Sequence, residues 1–194
     1  LWPTGDQHQF FQVEQDPPAV FWDYDVQMEP RHALPWEWLD APVLANPALV
    51  IDLIQYCKDE ETIVQQNAGA VLGKIVDKDK VLLKPHQHTL IEVLKTNPHD
   101  AVKRAIMRIF QLMEISAEVE GEVFDLAVQY LQDAEEPIAV KAFSMSSARK
   151  ICVKYPDLAP ELIGIIEILV EAKSSTGIVS RGKKELQILA SLSL

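Results

Sequence analysis

Apolar and small residues return at fixed places along this chain, once every 38 residues. Val64, Val102, Val140 and Ile178 stand 38 apart. Four residues beyond each are Ala68, Ile106, Ser144 and Gly182; eight beyond, Leu72, Phe110, Ala148 and Leu186; eleven beyond, Ile75, Met113, Ile151 and Leu189. Offsets of 0, 4, 8 and 11 trace one side of a 3.6-residue helix. A helix returning at this period predicts a stacked array, in which each unit buries its apolar side only against its neighbours. The expected fold is all-α, a right-handed α-α superhelix of about four helix pairs.

The first helix of each pair is expected near 47–57, 86–96, 119–133 and 158–172, and the second near 60–76, 98–115, 137–154 and 177–193. Asn46 before Pro47 and Asn97 before Pro98 suit an N-cap followed by proline at the first helical position. Pro137 fits the proline half of that pattern, and Asp59 is placed to cap the second helix of the first pair. Short connections between consecutive helices force antiparallel hairpins. Gly69 and Gly73 read as close packing against the next repeat.

The periodicity is missing at the start of the chain. All four tryptophans, Trp2, Trp22, Trp36 and Trp38, fall in the first 38 residues, together with five of the twelve prolines. FFQVEQ and AVFWDYDV, separated by DPP, read as two short strands around a turn. The chain therefore divides into an aromatic, acidic extension over 1–41, irregular or hairpin-containing, and a helical repeat domain over 42–194. The Pro35–Leu39 cluster is expected to cover the open end of the first repeat, because a terminal repeat exposes a face that must be capped.

These residues resemble the HEAT-repeat family, or the closely similar armadillo class. The resemblance rests on Val64, Val102, Val140 and Ile178 with the small and aliphatic residues after them. Lys103 and Lys141 match the basic residue that the family places directly after the valine, and Asp59 and Asn97 match its polar residue five positions before. Gln65, Val179 and Lys173 depart from the pattern, which leaves an inter-repeat side-chain ladder unsupported at both ends. The resemblance implies that second helices line a concave face.

Charge is segregated along the chain. The net charge is −11, of which residues 1–57 carry −8 from nine acids and one base, Arg31. Residues 119–136 are acidic, whereas the second helices from residue 99 onward are rich in Lys and Arg. Positions two, six and nine residues after the repeat valine point away from its apolar side, and their basic members are Arg104, Arg108, Arg149 and Lys184. Arginine forks capture carboxylate or phosphate bidentately, and a cleft of one sign focuses its field on an anion. With Lys103 and Lys141, these four are the candidate partner-binding residues.

No complete catalytic motif is present, and no cofactor is expected. His86 and His88 with His99 lack the spacing and further ligands of a metal site, so no metal is expected either. Asp23 and Asp25 follow an apolar run, but no parallel sheet stands behind them to make a phosphoryl-transfer site. Cys57 and Cys152 lie on apolar helical sides in different repeats and read as buried thiols of a reducing cytoplasm. There is no uncharged apolar run of membrane-spanning length, and the opening residues lack a signal-peptide pattern. The leading functional expectation is a non-catalytic scaffold with a basic groove for an acidic or mixed-charge protein segment. The alternative is nucleic-acid binding or DNA base repair of the HEAT-like alkylation-repair glycosylase type, which the overall acidity and the lack of tryptophan in the second helices disfavour.

Overall fold

The computed structural model describes residues 36–173 and 175–192, with side chains from Asp40 onward. The expected strands and Asp23 and Asp25 lie outside the described residues. Within them stand nine α-helices: α1 Trp36–Ala45, α2 Leu49–Tyr56, α3 Thr62–Lys78, α4 Gln87–Lys95, α5 Asp100–Leu112, α6 Glu120–Gln132, α7 Ile138–Lys154, α8 Ala159–Glu171 and α9 Thr176–Ala190. Two short 3-10 turns, Lys80–His86 and Pro156–Leu158, join repeats. The four pairs α2/α3, α4/α5, α6/α7 and α8/α9 match the expected helices to within three residues at each boundary.

The helices fall into two layers. Helices α3, α5, α7 and α9 pack side by side in chain order over long stretches, while α2, α4, α6 and α8 touch their layer neighbours only lightly. The row of second helices is thus the tightly packed layer, and the first helices spread over its back. The core runs continuously between the layers, with Ile106, Met107, Ile109 and Phe110 of α5 fully buried at its centre. Fourteen of the sixteen periodic positions are buried; only Val64 and Leu186, in the first and last repeats, are half-exposed. The ends of a stack lack a neighbour on one side, which is where a periodic apolar position stays wet.

Helix α1 is the element that the pattern did not reveal. It packs along α3, so it takes the place of a preceding second-layer helix rather than forming an irregular cover. Pro42 lies inside it and disguises it, because proline supplies no N–H to the helix and usually ends one. The Asp40 carboxylate, fully buried, meets Lys78 Nζ at 2.5 Å and ties α1 to the end of α3. With ten residues against the seventeen of α3, α1 is too short to cover the whole of α3, whose Val64 is half-exposed.

Local starts and stops differ from expectation by up to three residues. Asn97 does not cap α5. It has φ 52° and closes α4 in the left-handed region, as Lys173 does at φ 49° two periods later after α8. The cap of α5 is His99, whose Nδ1 accepts from Ala101 N at 3.1 Å. Asp59 instead makes a turn, its Oδ1 accepting from Glu61 N at 2.9 Å just before α3. Gly69 behaves as expected: a Cβ there would lie 2.9 Å from the Ala101 carbonyl oxygen and 3.0 Å from Val102 N, so only glycine permits α3 and α5 to approach this closely. Gly73 has open space where a Cβ would stand.

Candidate interaction face

The row of second helices carries the basic side chains singled out from the sequence, and they fall into three groups. Arg104 and Lys184 are exposed and have no ion-pair partner among the described residues. Arg108 and Arg149 are half-buried and each crosses to a neighbouring helix. The Arg108 guanidinium reaches back to α3, donating to both oxygens of Asp77 at 2.7 and 2.9 Å and to the Gly73 carbonyl at 3.0 Å. This is a fork on a carboxylate, the bidentate geometry that arginine favours. Arg149 Nε reaches forward to α9 and donates to Glu185 Oε2 at 3.0 Å.

Lys103 and Lys141 form the third group, and both face the interior. Lys103 is 7% exposed and Lys141 8%. Lys103 pairs with the buried Glu136, which leads into α7, and lies 5.8 Å from the centre of the Tyr130 ring. Burial, followed by the charge of Glu136, pushes the Tyr130 hydroxyl well above its ordinary range. Lys141 donates to the Ala134 carbonyl at 3.4 Å within its own repeat. An ammonium taken out of water needs such partners, since burying it alone would be costly.

The residues that receive these bases were not evident from the sequence. Glu185 is 2% exposed and occupies the centre of the α7–α9 joint. Its Oε1 accepts from Ser146 Oγ at 2.6 Å, and Arg181 Nη1 donates to that same hydroxyl at 3.0 Å. Lys150 donates to the carbonyls of Phe110, Gln111 and Met113, and so closes the end of α5. Burial first, then the charges of Arg149, Lys154 and Lys80, bring the Lys150 ammonium down to about 8. One signal was available: in the contacts that cross between repeats, donor and acceptor stand 31 to 40 residues apart, close to the repeat period.

The first repeat keeps a rung of the ladder. Gln65, in place of the expected base, accepts from His99 N through Oε1 at 2.7 Å and donates to the Asp59 carbonyl at 2.6 Å, so a neutral amide makes the first rung. His86 is half-buried, and burial lowers its basicity; His88 is exposed and His99 serves as a helix cap. Among the described residues no group of three or more His, Cys, Asp or Glu is placed to hold a metal ion. Cys57 and Cys152 are free and buried, and burial raises their thiols to about 12 and about 11. Among the described residues no helix is long and apolar enough to cross a membrane.

The curated proteins and the solved structures contain no match to this chain. A family model described as HEAT repeat domain matches residues 39–188, from the middle of α1 to the last turn of α9. The two-layered stack, the 38-residue period and that match together establish that the chain belongs to the HEAT repeat domain family.

Proposed function

We propose that this chain is a non-catalytic scaffold whose row of second helices binds an acidic or mixed-charge protein segment on its concave side. HEAT repeats generally mediate protein interactions, and the finer reading rests on one observation. Arg104 and Lys184, two and six residues after the repeat valine or isoleucine, are exposed and lack an ion-pair partner among the described residues. A carboxylate-bearing segment would find there two cations whose charge the fold does not use. Arg108 adds a third contact, because its partner Asp77 is half-exposed and a ligand carboxylate can share the guanidinium. Lys103 and Lys141 would act only indirectly, by holding the joints between α5, α7 and their loops. The two free, buried thiols suit a reducing compartment such as the cytoplasm.

The test is capture of binding proteins from native extract with wild type and with the double variant Arg104→Glu, Lys184→Glu. Loss of the captured protein at unchanged thermal stability supports the groove, since exposed charges contribute little to folding. Equal capture by both proteins refutes it. Retention on DNA that weakens with added salt would instead favour the nucleic-acid alternative.

A further inference from the structure

Exposed apolar side chains line the edge where second helices end and the next repeats begin. Val81 is 68% exposed, Val153 48%, Tyr155 47% and Leu112 40%, each at or just beyond the end of a second-layer helix. Lysines are interspersed with them. Lys80 is exposed and without an ion-pair partner among the described residues. Lys84 meets Glu114 at a loose 3.4 Å, and Lys154 pairs with Glu120. The edge is continuous: Lys84 links the turn after α3 to the end of α5, and Lys150 links the end of α5 to α7. It carries exposed apolar side chains among lysines, of which Lys84 and Lys154 already meet glutamates and Lys80 does not, and its complement is a segment bearing aromatic side chains and carboxylates together.

The chain contains such a segment. Residues 1–30, which lie outside the described residues, hold six carboxylates and no Lys or Arg. Phe10, Phe11, Phe21, Trp22 and Tyr24 fall among those carboxylates. We propose that residues 1–30 dock in cis on this edge, with their aromatic side chains on the apolar strip and their carboxylates against Lys80, Lys84 and Lys154. Connection and reach allow it. The segment joins the array at α1, whose Asp40 is held by Lys78, two residues from Lys80. Thirty extended residues span up to about 100 Å, whereas five packed helices at about 10 Å each cover roughly 40 Å. Apolar area decides between this edge and the inner face. Burying an aromatic ring is the larger stabilising contribution, and the inward repeat positions offer mainly Gln, Ala, Ser and Arg. This proposal is independent of the groove reading, which concerns other residues and a separate molecule.

Zero-length carbodiimide cross-linking of the full chain, mapped by mass spectrometry, tests it. An equal mixture of isotopically heavy and light protein separates linkages within one chain from those between copies. The expected result is heavy–heavy and light–light linkages from carboxylates in residues 6–29 to Lys80, Lys84 or Lys154. In the variant Val81→Glu, Val153→Glu, whose changed positions are already exposed, those linkages should fall about tenfold, the factor for losing a modest apolar contact, while helical circular dichroism is retained. Linkages to Lys184 would place the segment on the candidate groove and overturn the proposal. Mixed heavy–light linkages would mean docking between copies, and no linkage at all would mean no docking; either result also overturns it.

Discussion

The α3–α5 joint and the α7–α9 joint occupy equivalent places in the stack and are held by opposite means. At α3–α5 the backbones themselves meet: Gly69 lets the Ala101 carbonyl approach to where a Cβ would stand. The charges there, Arg108 and Asp77, lie 32% and 50% exposed beside the contact. At α7–α9 the contact is made through a carboxylate, Glu185, 2% exposed and shared among Ser146, Arg149 and Arg181. One period of 38 residues sets where neighbouring helices meet, and does not set the chemistry of the meeting. A joint built on close packing tolerates the loss of a surface charge, whereas one built on a buried carboxylate does not tolerate the loss of the carboxylate.

Glu185→Ala should have the largest effect, on the order of 2–4 kcal/mol, because it removes the buried carboxylate that two half-buried guanidinium groups and a buried hydroxyl share. Chemical denaturation measures it, and a loss under 1 kcal/mol would mean that water replaces the carboxylate. Gly69→Ala comes next, at about 1–2 kcal/mol destabilising, since steric displacement of the Ala101 backbone exceeds the gain in helix propensity. A stabilised variant would show that the α3–α5 joint is looser than the close approach indicates. Asp77→Ala, in the same joint, should cost less than about 1 kcal/mol, as exposed pairs do; the contrast with Glu185→Ala is the comparison in its sharpest form. Lys173→Gly should stabilise by about 0.5–1 kcal/mol, because its left-handed backbone suits glycine.

Lys150 gives a pH signature. Its folded-state ammonium ionises near 8 and its unfolded one near the ordinary 10.5, so above pH 8 the unfolded chain holds more protons. Stability contributed through this group therefore rises as pH increases from about 8 toward 10. Cys57 and Cys152, whose thiols are raised, act in the opposite direction above pH 9. The difference in melting temperature between wild type and Lys150→Gln, followed from pH 7.5 to 9, isolates the lysine. It should move in favour of wild type as pH rises, and a flat difference would show that the three carbonyls hold the proton on.

The repeat was legible because burial here is a local matter. Each second helix needs an apolar side at 3.6-residue spacing, and Val102, Ile106, Phe110 and Met113 state it without knowledge of the neighbours. Helix α1 was not legible, since ten residues with an internal proline carry too little periodicity, and what makes them helical is packing on α3. The basic side chains were legible as residues but not as contacts. Nothing local distinguishes Arg104, left exposed, from Arg108, clamped on Asp77 31 residues away.

By itself, then, the sequence determined the four helix pairs, their period and the apolar side that each helix buries, because those follow from propensity and hydrophobic spacing within one repeat. Only the tertiary structure decided which charges are consumed. Whether Lys103 reaches a ligand or Glu136, and whether Arg149 faces solvent or Glu185, depends on the side chain that the adjacent repeat brings within about 3 Å, the range over which a hydrogen bond holds.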